Sequence, residues 1–220
     1  MQQRNGSIRE KGRSWRATLF GDAPLNEWAR YGSGEPWSCF TEAVEHTKTR
    51  QRDRAAQALF KVVSTPRLPS RHYLEAWFGL RELGFPPHSE VARYVYGVVV
   101  EVGLDGGVDT LAVYEDRSVR YVSLNGDIVI CELAGRPLDL GIESVLSTAR
   151  RVMSAGSVQE SNTSSYPTRH SARMSFLTPQ GVHVIEGPLS AFARDLSAAP
   201  VFSAATSVML SLTGRARLAS

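Results

Sequence analysis

Cysteine, lysine and long apolar runs are all scarce in this sequence of 220 residues. Two cysteines, Cys39 and Cys131, are too few for a disulfide framework, which excludes a small secreted disulfide-rich scaffold. The longest nearly uncharged stretch, residues 196–214, contains serines, threonines and a proline and is too polar to span a membrane. No apolar segment follows the first arginine, so the sequence predicts no secretory signal. We therefore expect a cytoplasmic protein that does not bind a membrane and keeps its cysteines reduced.

Motifs for metals, nucleotides and nucleophilic catalysis are missing as well. The five histidines show neither an H-E-x-x-H pattern nor a Cys/His pair at zinc spacing, and we expect His183 on the solvated face of a strand. The glycines between residues 103 and 107 separate two predicted strands, whereas a phosphate loop leads into a helix. Cys39 and His46 stand seven residues apart, roughly 10 Å along a helix, too far for a nucleophile and its base. The sequence therefore predicts no metal, no cofactor and no catalytic residue.

Arginine and apolar residues are abundant. Hydrophobic residues make up 42% of the sequence, enough for a packed core, which argues against disorder. The formal net charge is +3, and of 25 basic residues only Lys11, Lys48 and Lys61 are lysines. An excess of arginine over lysine is typical of GC-rich coding sequences, and we therefore expect a bacterial source.

Composition separates an N-terminal arm from the rest of the chain. Residues 1–35 combine glycines, arginines and tryptophans without a steady apolar period, which predicts an irregular, basic, aromatic-containing arm. Residues 36–220 contain helical and strand periods separated by turns, which predicts a single α+β domain.

Within this domain, apolar spacing predicts helices over 36–84, including one long helix to residue 63 that bends within the polar turn 48–54. A change to period two, with turns such as Asn125-Gly126, predicts a four-stranded antiparallel meander over 94–133. A helix over 140–154, a surface loop over 156–171, a hairpin over 173–186 and C-terminal helices over 188–213 complete the prediction. The predicted fold class is α+β, an antiparallel meander plus a second hairpin, flanked by helices.

Aromatic and arginine side chains in and just after the arm are the one positive functional signal. This composition is typical of protein interaction surfaces, and the alternative is that these aromatic residues dock on the protein's own body. If they bind a partner, Trp15→Ala together with Trp28→Ala should abolish the partner complex and leave the melting temperature nearly unchanged. The candidate partner-binding residues are Arg9, Arg13, Trp15, Arg16, Trp28 and Trp37.

These patterns favour a non-enzymatic accessory or adaptor protein that binds a partner protein within a bacterial multi-component assembly. One alternative is a nucleic-acid-associated protein, in which the arginines of the arm contact phosphates. A second alternative is a hydrolase whose scattered active site lies between the sheet and the 156–171 loop. The sequence makes no prediction about the oligomeric state.

Overall fold

The computed structural model of this protein describes residues 16–132, 136–156, 158–160, 165–192 and 194–219. Contacts divide the chain into two compact units, unit 1 (Met1–Ala92) and unit 2 (Arg93–Ser220). The boundary between the units falls inside the predicted 36–220 domain, and the organisation of that stretch as a single domain stays a prediction.

Unit 1 is built from helices. They are α1 (residues 16–20), α2 (Leu25–Trp28), α3 (Trp37–Lys48), α4 (Arg52–Ser64), α5 (Ser70–Glu82) and α6 (Ser89–Ala92). Small residues let the central helices approach closely: Ala43 and Ala58 are fully buried, and a Cβ at Gly79 would lie 2.8 Å from Leu59 Cδ1. Helix α4 therefore packs against both α3 and α5.

The structure differs from the sequence prediction at two places in unit 1. Helix α3 ends at Lys48 and α4 begins at Arg52, so there are two helices instead of one bent helix, and Arg50 between them is left-handed, with φ 57°. Part of the arm predicted to be irregular is helical, in α1 and α2, and buries Leu19 and Trp28. These two helices are too short to repeat an apolar period, which explains why the pattern did not indicate them.

Unit 2 contains an antiparallel sheet. Its strands are β1 (Gly97–Leu104), β2 (Gly107–Tyr114), β3 (Val119–Val122), β4 (Ile128–Cys131), β5 (Gln159–Glu160), β6 (Ser171–Leu177) and β7 (Val182–Pro188). The spatial order of these seven strands is β4-β3-β2-β1-β6-β7-β5. Strands β1 to β4 form the predicted meander and the β6–β7 hairpin joins it beside β1, so the predicted α+β class is confirmed.

Helices α7 (Arg136–Ser154), α8 (Leu189–Phe192) and α9 (Ala198–Ala219) complete unit 2. Helices α7 and α9 pack on each other and share one hydrophobic core with one side of the sheet, which we call the helix-covered face. Alternation along the strands turns one set of apolar residues towards this face, and six of them are Val98, Val100, Leu111, Val113, Met174 and Phe176.

His183 is placed differently from its prediction. It stands opposite Phe176 in the β6–β7 register, on the helix-covered face, and is 3% exposed. The expectation of a solvated His183 is therefore wrong, because strand β7 turns this position towards the core and Val182 and Val184 towards the other face. Two residues of the predicted 156–171 loop form the short strand β5.

Candidate protein-binding surfaces

The structure describes three of the six residues predicted to bind a partner. Arg9, Arg13 and Trp15 lie outside the described residues. Arg16 is partly buried, and its guanidinium carbon lies 4.5 Å from the centre of the Phe20 ring. This cation–π contact lies within α1 and holds the Arg16 side chain along its own helix.

Trp28 and Trp37 come together in an aromatic cluster with Tyr31, Phe40 and His72. The Trp28 ring centre lies 5.3 Å from that of Trp37 and 5.6 Å from that of Tyr31. Trp28 is 2% exposed, whereas Tyr31 is 55% exposed. Trp28 thus packs on the protein's own body, and the accessible part of the cluster consists of Tyr31 and the half-buried Trp37.

Strand β4 forms an edge of the sheet and, among the described strands, pairs only with β3. Ile128 and Ile130 project from the face opposite the helices and are 50% and 53% exposed. The strand contains no charged residue and no proline, the residues that usually protect an edge from pairing with another chain. The opposite edge, β5, is only two residues long. Strand β4 is therefore an apolar edge that can accept a further strand.

Backbone alternation decides which peptide groups of β4 face outward. The Ser123 N–H donates to the Asp127 carbonyl at 2.9 Å, which makes these two residues a hydrogen-bonded pair at the start of the β3–β4 ladder. Hydrogen-bonded and non-hydrogen-bonded residue pairs alternate along an antiparallel ladder. Val129 is therefore the next residue of β4 whose backbone groups form hydrogen bonds with β3. The N–H and C=O groups of Ile128 and Ile130 therefore point away from β3.

The hairpin that leads into β4 is anchored by Asp109 on β2. The Asp109 carboxylate accepts hydrogen bonds from the Leu124 N–H at 2.8 Å and from the Tyr121 hydroxyl at 2.9 Å. Burial and the Asp109 carboxylate raise the pKa of Tyr121 to about 12, so its hydroxyl remains a donor at neutral pH. Gly126 completes the turn with φ 88°, a conformation that favours glycine. These contacts fix the position of the hairpin and of β4.

Arg120 ties the end of β4 to β3. Its side chain is 4% exposed, and its Nη2 lies 2.7 Å from Oε1 of Glu132, the residue that follows β4. Its Nη1 donates to Ser118 Oγ at 3.2 Å, and its guanidinium carbon lies 5.6 Å from the centre of the Tyr114 ring. A buried guanidinium requires such partners, because an unpaired buried charge is costly.

A second buried arginine, Arg173, joins three strands. Its Nε donates to Glu186 Oε2 on β7 at 2.8 Å, its Nη1 lies 3.8 Å from Glu101 Oε2 on β1, and it also donates to the Ser165 carbonyl. Glu101 is fully buried, so Arg173 neutralises a carboxylate that has no access to water. The network therefore stabilises the sheet where β1, β6 and β7 meet.

Glu75 on α5 is a fully buried carboxyl group in unit 1. Burial raises the pKa of Glu75 to about 9, the Asp22 carboxylate adds to the rise, and the hydrogen bond from the Ala23 N–H to Glu75 Oε2, 3.3 Å long, opposes it. Burial also raises the pKa of Asp22. Glu75 is therefore protonated and neutral at pH 7.

The turn between α3 and α4 is basic. Arg50, Arg52 and Arg54 line an open hollow of about 600 Å³. Arg52 donates to the Leu83 carbonyl at the end of α5, and its guanidinium carbon lies 5.0 Å from the centre of the Phe85 ring. Arg52 thus satisfies a carbonyl at the C-terminus of a helix, which is a structural role.

Among the residues that the structure describes, no three His, Cys, Asp or Glu side chains group together in a way that could hold a metal ion. In the same part of the chain, no helix has the length and apolar character needed to cross a bilayer.

Comparison with known protein families, with curated proteins and with solved structures finds no match to this chain.

Sequence reasoning missed Ile128 and Ile130 as candidate binding residues. Their spacing of two residues in the last strand of the meander, which places both side chains on one face, was visible in the sequence. The decisive fact is that the later hairpin pairs with β1 and leaves β4 at the edge, and local sequence patterns do not contain this information.

Proposed function

We propose that this chain is a non-enzymatic accessory or adaptor protein of a bacterial multi-component assembly, and that it binds protein by accepting a strand at β4. The observation that carries the proposal is the exposed edge, where Ile128 and Ile130 are half exposed and their backbone groups point away from β3. Strand addition to such an edge gains affinity from main-chain hydrogen bonds and specificity from alternate side chains.

Further support comes from the rigidity of the edge. Asp109 and Arg120 hold the hairpin and the end of β4 against the neighbouring strands. A rigid edge has less conformational freedom to lose on binding, so less of the interaction energy is spent on ordering it. A bacterial source, proposed from the arginine excess, and a cytoplasmic location complete the proposal.

The two alternative functions stay predictions. The nucleic-acid alternative depends on the arm, in which Arg9, Arg13 and Trp15 lie outside the described residues. The hydrolase alternative depends on the 156–171 loop, of which residues 158–160 and 165–171 are described, along with residue 156.

Capture from the source organism's lysate tests the proposal. The bait proteins are the wild type, Ile130→Lys and the control Leu196→Lys, which introduces the same charge at a leucine that is 94% exposed and lies outside the strands, between α8 and α9. A lysine on an edge strand opposes pairing with another strand, so we expect Ile130→Lys to lose a partner protein that the wild type and Leu196→Lys both retain. Mass spectrometry of the nuclease-treated eluates measures the difference.

An untagged copy of this chain counts as a partner in this test, and the proposal fails if all three baits retain the same proteins, that copy included, in equal amounts. Circular dichroism provides the folding control: because Ile130 is 53% exposed, we expect its substitution to change stability by less than about 1 kcal/mol.

A further inference from the structure

We infer that the strand added to β4 is β4 of a second copy of this chain, in an antiparallel, two-fold symmetric pair centred on Val129. The inference rests on the proposed function, because it names the occupant of the same edge. It makes the protein a homodimer with one continuous sheet running through both copies.

Backbone geometry fits this pairing. The outward N–H and C=O groups of β4 belong to Ile128 and Ile130, two residues apart. When Val129 faces Val129 of the second copy, Ile128 lies opposite Ile130 of that copy, and each of these opposed pairs exchanges two hydrogen bonds. The two symmetry-related pairs then satisfy all the outward groups of both isoleucines.

The side chains that face each other across the axis favour the register centred on Val129 over registers shifted by one residue. Centred on Val129, the pairing places Ile128 opposite Ile130 on the exposed face, so that each half-exposed isoleucine gains an apolar partner. Centred on Ile130, it would place Ile128 opposite the carboxylate of Glu132. Centred on Ile128, it would place Val129 opposite Asp127. The sequence Ile-Val-Ile is symmetric about Val129, which suits a second copy of itself better than an unrelated strand.

Charge does not oppose the pairing. In this register Asp127 lies opposite Cys131 of the second copy, and Glu132 lies opposite Gly126. Asp127 and Glu132 project from opposite faces of the sheet, because side chains alternate along a strand. Glu132 is also paired with Arg120 of its own chain at 2.7 Å. The acidic groups that flank β4 therefore do not meet like charges across the axis.

Light scattering during size-exclusion chromatography tests the stoichiometry on the full chain. We expect the wild type and Leu196→Lys to elute with twice the chain mass of 24.1 kDa and Ile130→Lys to elute with that mass once. The substitution places two lysines against isoleucines in one dimer, and we expect it to weaken the dimer at least about tenfold. A wild type that remains a monomer at every accessible concentration overturns the inference, as does an Ile130→Lys variant that remains a dimer.

Cysteine cross-linking tests the register. In a variant with Cys39→Ser and Cys131→Ser, Val129→Cys places two thiols in a non-hydrogen-bonded pair whose Cα atoms are about 4.5 Å apart, within the range for a disulfide. Ile130→Cys in the same background places its Cα atoms roughly 8 to 9 Å apart, too far for a disulfide. After mild oxidation with oxidised glutathione, we expect a covalent dimer of the first variant only. Cross-linking of the second variant only contradicts the register centred on Val129.

Failure of the dimer inference and failure of the proposed function give different results. A wild type that is monomeric on its own and still retains a different protein through Ile130 overturns the second copy as the occupant and leaves strand addition at β4 supported. A dimer that is insensitive to Ile130→Lys, together with captured proteins that are insensitive to it, overturns both.

Discussion

Trp28→Ala is expected to lower the free energy of unfolding of unit 1 by about 3 to 5 kcal/mol, the usual cost of removing a buried aromatic side chain. Trp28 is 2% exposed and contacts the rings of Tyr31, Trp37, Phe40 and His72, so its loss leaves a cavity at the centre of the aromatic cluster. This expectation follows from the alternative in which the aromatic residues dock on the protein's own body; a Trp28 that only binds a partner would leave stability nearly unchanged.

Urea unfolding followed by tryptophan fluorescence measures the effect. Among the described residues the tryptophans are Trp28, Trp37 and Trp77, all in unit 1, so Trp37 and Trp77 report on that unit in the variant. Tyr31→Ala is the matched control, because Tyr31 belongs to the same cluster but is 55% exposed, and we expect a loss below about 1 kcal/mol. A Trp28→Ala variant as stable as the wild type would show that Trp28 does not pack within unit 1.

Trp28→Phe refines the same test. The buried Nε1 of Trp28 has no hydrogen-bond partner within the part of the chain that the structure describes. Phenylalanine keeps most of the apolar volume and removes the unpaired donor, whose burial costs about 1 to 3 kcal/mol. We therefore expect Trp28→Phe to recover most of the stability that alanine loses.

Glu75→Gln is expected to stabilise unit 1 at neutral pH by about 3 kcal/mol. In the folded protein the pKa of Glu75 is raised from 4.5 to about 9, so the carboxyl group is neutral there at pH 7, whereas the unfolded chain ionises it. A raised folded-state pKa contributes stability that is fully present below pH 4.5 and is lost progressively as the pH rises towards 9. Glutamine is neutral in both states and avoids this loss.

The pH dependence provides the measurement. Between pH 5 and pH 8.5, we expect the stability difference between Glu75→Gln and the wild type to grow by about 1.4 kcal/mol per pH unit. Glu82→Gln removes an exposed carboxylate from the same helix and is the matched control. Unfolding free energies of Glu75→Gln and wild type that run parallel over this range would contradict a buried, protonated Glu75.

Local patterns predicted the fold well where one short segment decides the structure. Asn125-Gly126 indicated the turn before β4, where Gly126 has φ 88°. The gap between α3 and α4 at Arg50 was predicted as a bend in one helix. The polar residues 48–54 interrupt the apolar stripe, but no glycine or proline stands there to end the helix. Short elements such as α2 depend on tertiary packing instead, here the burial of Trp28.

The candidate site was less predictable, because it depends on contacts between distant segments. Strand β4 is an edge only because β6 pairs with β1, some seventy residues earlier in the chain. The burial of Arg120 and Arg173 depends on a second kind of contact, with carboxylates across adjacent strands: Glu132, which follows β4, and Glu186 on β7. An arginine on a strand gives no local signal that a carboxylate from elsewhere will neutralise it.

Amide hydrogen exchange resolved at single residues tests strand addition at β4 most directly. Val129 bonds to β3 and should exchange slowly in every sample, which makes it the internal reference. The Ile128 and Ile130 amides point outward, so they should exchange rapidly in dilute monomer and become protected when the dimer or a partner complex forms. Ile128 and Ile130 amides that exchange at unprotected rates at every concentration, and with every captured partner present, would contradict strand addition at this edge.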